Sequence, residues 1–148
     1  MLHQKAGSAK VIEIHGSPAI HSCPSCKWQT GFYDILDTVK SGGMPHCPNC
    51  GAVLKPNIVF FGESLPEFAI NSAISESSKS DLMLVLGSSL MVYPAASLPE
   101  YTLNSGGQIV IVNDMPTHLD KQAALHFDDL ELTFSGLEEI IASRLTPA

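Results

Sequence analysis

Residues 81 to 89 read Asp81-Leu82-Met83-Leu84-Val85-Leu86-Gly87-Ser88-Ser89. An unbroken apolar run, closed by a charge on one side and a Gly-Ser-Ser turn on the other, predicts a strand buried on both faces. Gln108-Ile109-Val110-Ile111-Val112 repeats the pattern and ends at Asn113-Asp114, and Ala95 to Asn104 between the two predicts a helix. Apolar strands separated by a helix imply an α/β fold: a Rossmann-like parallel sheet with helices on both faces. In such sheets ligands gather beyond the carboxyl ends of the strands. Those ends carry Gly87-Ser88-Ser89 and Asn113-Asp114.

On the amino-terminal side, Pro66 to Ser78 predicts a helix with proline in its first turn, and Asn57 to Phe61 an extended segment. Farther out, the β-branched run Val11 to Ile14 predicts a short strand ending at His15-Gly16, and Asp34 to Val39 a short helix. On the carboxyl side, Leu130 to Thr133 reads as a weaker strand and Leu137 to Leu145 as an amphipathic helix. From Ala19 to Leu54 the chain turns rich in Cys, Gly and Pro. The expected organisation is therefore a small inserted module at 19–54, with 1–18 and 55–148 forming the partial sheet domain.

The 148 residues are 45% hydrophobic, enough for a core that needs no disulfide staples. Fifteen acidic residues against eight basic ones give a net charge of −7, which argues against a nucleic-acid backbone as partner. No apolar run approaches the roughly 18 residues of a membrane span. The opening Met1-Leu2-His3-Gln4-Lys5 lacks the layout of a secretory signal, so a reducing, cytoplasmic setting is expected for the thiols.

Cys23-Pro24-Ser25-Cys26 and Cys47-Pro48-Asn49-Cys50 form two Cys-x-x-Cys pairs twenty residues apart. Two sulfurs on one tight knuckle take adjacent corners of a tetrahedron, and a second knuckle supplies the other two, as in a structural zinc site. The alternative is a set of redox thiols, although a thioredoxin-like site needs one such pair rather than two. With four sulfur ligands no position stays open for catalysis, and His21 and His46 are read as bystanders. Alone, the quartet also fits a zinc ribbon that serves only for interaction.

An ordered series of motifs resembles the sirtuin family of NAD-dependent protein lysine deacylases. It comprises Leu2-His3-Gln4-Lys5-Ala6-Gly7-Ser8, Glu13-Ile14-His15-Gly16, the cysteine quartet, Lys55 to Pro66, Gly87-Ser88-Ser89-Leu90, Pro94-Ala95-Ala96 and Val112-Asn113. The resemblance implies that His15 is the catalytic base acting on a ribose hydroxyl of NAD, a role suited to an imidazole near neutral pH. It implies NAD contacts at Gly87, Ser88, Ser89, Asn113 and Asp114. It also implies a peptide clamp for acyl-lysine substrates made of Val59, Phe60, Phe61, Gly62 and Glu63 on one side and Leu90 and Val92 on the other. Main-chain pairing there would bind an extended peptide with little sequence demand. Ser88 stands where the family usually has threonine, and Phe60 where it commonly has tryptophan; one of Phe60 and Phe61 is expected in the core.

The family's glycine-rich Gly-Ala-Gly turn and its Gln-Asn-x-Asp element do not occur in these residues, which contain no Gly-x-Gly. The chain therefore reads as the carboxyl-terminal larger part of the catalytic core, with little deacylase activity and weak NAD affinity expected of it alone. The competing expectation is a non-catalytic, zinc-containing interaction fragment.

Overall fold

The computed structural model describes residues 2–145. They form two compact units, Met1–Ile70 and Asn71–Ala148.

The first unit opens with a short helix α1 (Leu2–Lys5) and is built on an antiparallel sheet of β1 (Gly16–Ser22), β2 (Gln29–Gly31) and β3 (Lys55–Ile58), in the order β2-β1-β3. A 3-10 turn at Phe32–Ile35 leads into α2 (Leu36–Lys40), where the sequence predicted its short helix. Between β1 and β3 the register runs Gly16↔Ile58 and Ser17↔Asn57, then shifts to His21↔Pro56 and Ser22↔Lys55. Pro18 lies in that bulge, where its missing N–H costs no ladder bond. The small core gathers Cys23, Ile35, Cys47 and Leu54, with Trp28, Phe32 and Ala52 packed against it.

Two expectations change in this unit. The strand starts at Gly16 rather than at Val11, because Val11 to Ile14 pairs with no strand among the described residues and the chain instead turns at Glu13–Gly16, where the Gly16 N–H donates to the Glu13 carbonyl at 2.9 Å. Gly16 sits at φ +72°, and a Cβ there would lie 2.0 Å from the Asn57 carbonyl oxygen. Only glycine permits that turn and that approach. The extended segment expected at Asn57 to Phe61 ends at Ile58, since a second turn begins at Phe60.

The second unit holds a parallel sheet of β4 (Leu82–Leu86), β5 (Gln108–Val112) and β6 (Leu125–Phe127), in the order β4-β5-β6. The connecting helices are α3 (Glu67–Lys79), whose first turn belongs to the first unit, and α4 (Leu98–Asn104), preceded by a 3-10 turn at Ala95–Ser97. Register is continuous from Leu82↔Gln108 to Leu86↔Val112, and from Val110↔Leu125 to Val112↔Phe127. The alternation of a strand decides burial. Val85, Ile109 and Ile111 point into a core with Leu90, Ala96 and Leu119, against which Met83 and Leu103 pack. Leu82, Leu84 and Leu86, on the opposite side of β4, keep 40–53% of their surface exposed. Thr102, fully buried, donates its hydroxyl to the Ser77 carbonyl at 2.8 Å and so ties α4 to α3.

The strand expected at Leu130 to Thr133 is the first turn of α5 (Leu130–Leu145). Asp129 decides this: its Oδ1 accepts the Leu132 N–H at 2.9 Å, and its carbonyl accepts the Thr133 hydroxyl. An aspartate capping the third helical N–H is a strong helix start. The third strand is instead Leu125–Phe127, paired in parallel with β5. No helix among the described residues is long and apolar enough to cross a membrane.

Candidate functional site

The four cysteines sit on two matching knuckles. After β1, the Lys27 N–H donates to the Cys23 carbonyl at 3.0 Å, and in the second knuckle the Gly51 N–H donates to the Cys47 carbonyl at 2.9 Å. Lys27 and Gly51 occupy the same place in each turn and both adopt positive φ, +64° and +75°. The four Sγ atoms lie within 4.8 Å of one another, with Cys23 to Cys50 at 3.4 Å and Cys26 to Cys47 at 3.5 Å. A zinc ion with bonds of about 2.3 Å sets tetrahedral ligands about 3.8 Å apart, so the four sulfurs are positioned to bind a structural zinc.

The electrostatics set the two thiols of the first knuckle apart. The Cys26 N–H, aimed at Cys23 Sγ from 3.4 Å, pulls the Cys23 thiol down to about 6. At Cys26 the Trp28 N–H pulls the same way, but the neighbouring Cys47 sulfur and burial push that thiol up to about 12. His46 is engaged elsewhere, its Nδ1 2.8 Å from the Gly51 carbonyl oxygen, and His21 is buried with its ring stacked on Phe32. Neither belongs to the sulfur cluster.

His15 lies in the Glu13–Gly16 turn, exposed at the start of β1. Its carbonyl accepts the Val59 N–H at 3.0 Å, which brings it beside the segment from Val59 to Glu63. That segment is a turn rather than a strand: the Glu63 N–H donates to the Phe60 carbonyl at 3.0 Å, and Gly62 at φ +87° occupies the position that a type II turn reserves for glycine. Neither Phe60 nor Phe61 is core, with exposures of 47% and 96%.

In the second unit the structure brings Gly87-Ser88-Ser89 and Asn113-Asp114 together, because Leu86 and Val112 end β4 and β5 side by side. The Gly87 N–H donates to the Val112 carbonyl at 2.9 Å. Asn113 is buried, its backbone N–H bound to the Phe127 carbonyl and its Nδ2 to the Met115 carbonyl at 2.7 Å, while Asp114 is exposed. Leu90 is buried at φ +53°, and Val92 is exposed. Beyond the Asn113 turn, Asp120 accepts both the N–H and the hydroxyl of Thr117, at 3.0 and 2.5 Å. Those two bonds, hydroxyl first, with His126 and His118 nearby, hold its carboxyl below the usual range.

Sequence reasoning passed over one residue here. Lys55, at the start of β3, reaches Glu63 Oε2 at 2.9 Å, a pairing across eight residues that no periodicity announces.

Comparison with known proteins points one way. A family model described as "Sir2 family" matches residues 1–94. The chain is 48% identical over 140 residues to an NAD-dependent protein deacetylase of Thermotoga maritima, spanning 93% of this chain and 57% of that protein. It is 42% identical over 148 residues to an NAD-dependent protein deacetylase of Caldivirga maquilingensis, again spanning 57% of the relative. Among solved structures, one described as "Sir2-p53 peptide-NAD+" superposes with a TM-score of 0.86 at 46% identity, covering 93% of this chain and 58% of the other. Another, "Structure of Sir2Tm bound to a propionylated peptide", gives 0.86 and 46% over 93% of this chain and 59% of the other.

Proposed function

Since the chain belongs to the Sir2 family, we propose that its residues serve the NAD-dependent removal of acyl groups from protein lysines. NAD, when bound, supplies the ribose that takes the acyl group as nicotinamide leaves, and one water is consumed in freeing the amine, so that lysine, nicotinamide and O-acyl-ADP-ribose are the products. His15 takes the proton from the attacking ribose hydroxyl. Gly87, Ser88, Ser89, Asn113 and Asp114 hold the adenosine side: the glycine allows close backbone approach, the hydroxyls meet polar oxygens, and the Asn113 side-chain oxygen takes no donor among the described residues. Val59 to Glu63, with Leu90 and Val92, takes the acyl-lysine peptide. The zinc stays out of the chemistry and fastens the module of 19–54, while 1–18 and 55–148 belong to the NAD-binding domain. Four free thiols suit a reducing cytoplasm.

The observation that carries this reading is the bond from the Val59 N–H to the His15 carbonyl, which fixes the candidate base beside the candidate peptide edge. The residues span 57% of the Thermotoga relative and include no Gly-x-Gly turn to cradle a pyrophosphate. A polypeptide of these residues alone is accordingly proposed to bind NAD weakly and deacylate little. The test is a chimera in which they replace the matching part of the Thermotoga deacetylase, assayed for nicotinamide release with an acetyl-lysine peptide. Release is expected from the chimera and is expected to vanish in His15→Tyr with zinc retained; turnover that survives His15→Tyr sinks the assignment of the base.

A further inference from the structure

The turn from Phe60 to Glu63 is held by more than its own backbone. Glu63 Oε2 accepts the Phe60 N–H at 3.0 Å and the Lys55 ammonium at 2.9 Å. The same ammonium donates to the Ile58 carbonyl at 2.9 Å and stands 4.6 Å above the centre of the Phe60 ring. One lysine thus ties the last residue of β3, the aromatic face of Phe60 and the carboxylate that closes the turn. The backbone count matters as much. The N–H groups of Val59, Phe60 and Glu63 are spent on His15, Glu63 and Phe60, whereas those of Phe61 and Gly62 meet no acceptor among the described residues. Amides left unspent on a pinned turn are available for main-chain bonds to an extended peptide.

We infer that Lys55 and Glu63 are positioning residues: their ion pair preorganises the Phe60–Glu63 turn so that the Phe61 and Gly62 amides receive the peptide without first being ordered. The inference rests on the reading of Val59 to Glu63 as the peptide edge. Preorganisation acts on affinity by removing an ordering cost at the moment of binding. Both side chains are about two-fifths exposed, so solvent screening keeps the effect modest.

The experiment uses the zinc-loaded chain and a fluorescein-labelled ten-residue acetyl-lysine peptide, followed by anisotropy, with amide exchange at Phe60 read by NMR. Lys55→Met and Glu63→Gln are expected to raise the peptide Kd about 3- to 5-fold and to speed Phe60 exchange by a similar factor. Lys55→Arg is expected to stay near the starting value because it keeps charge and donors. The double variant is expected to be no worse than the worse single one, while zinc content stays at one per chain. Peptide binding that is unchanged in Lys55→Met and Glu63→Gln overturns the inference and leaves the peptide edge standing. If the unaltered chain does not prefer the acetylated peptide over the unmodified one, the peptide edge falls and the inference with it, whatever Phe60 exchange shows.

Discussion

Replacing Gly16 by alanine tests the geometry that sets His15 against β3. Gly16 holds φ +72°, which costs an L-residue about 1–2 kcal/mol. The added Cβ would also meet the Asn57 carbonyl oxygen at 2.0 Å and the Ile58 Cα at 3.2 Å, both backbone atoms that cannot swing aside. Relief requires β1 and β3 to part at the Gly16↔Ile58 pair, forfeiting about one more hydrogen bond, or ~1 kcal/mol. The expected loss is therefore about 2–3 kcal/mol. Gly62→Ala is the internal control: its φ of +87° carries the same backbone penalty, but nothing lies within 4 Å of the new methyl group, so about 1–2 kcal/mol is expected. Urea unfolding followed by Trp28 fluorescence reads both changes in one experiment. This is the only tryptophan of the chain, and it packs against the core of the unit that contains both glycines. Equal losses in Gly16→Ala and Gly62→Ala would refute the close approach of β1 to β3.

Substituting Cys47 by serine is expected to release the metal to a chromogenic chelator and to collapse the Trp28 signal, because a structural zinc contributes folding free energy directly. Loss of zinc with an unchanged Trp28 spectrum would contradict that coupling. Asp120, whose carboxyl is depressed by the Thr117 hydroxyl and N–H, with His126 and His118 adding to the effect, stabilises the turn after Asn113 above the ordinary carboxylate range. That contribution is expected to fade as pH falls through the depressed value and to be absent in Asp120→Asn; amide exchange at Thr117 as a function of pH checks both.

Much of the second unit was legible because its strands carry their own punctuation. Asp81 and Gly87 bound one apolar run and Gly107 and Asn113 the other, and the observed strands fill those runs. The cysteine spacing was equally plain, since two knuckles at Cys-x-x-Cys leave little else for four sulfurs to do. Failures came where a partner rather than a local pattern decides. Val11 to Ile14 has the composition of a strand but no strand to pair with among the described residues, whereas Gly16 to Ser22, broken by Pro18, pairs on both sides. Leu125 to Phe127 is too short to show alternation and is a strand only because β5 lies beside it. Leu130 to Thr133 looked extended until Asp129 supplied the cap. The Lys55 contact to Glu63 depends on the Gly62 turn folding the chain back, a tertiary fact with no spacing of its own.

We propose that these residues serve the transfer of an acyl group from lysine to the ribose of NAD. Mass spectrometry of the chimera's products tests it most directly, using an acetyl-lysine peptide and NAD. O-acetyl-ADP-ribose and nicotinamide are expected in equal amounts to the deacetylated peptide, all three missing when His15 is tyrosine. Free acetate as the primary product, formed without nicotinamide, would contradict it.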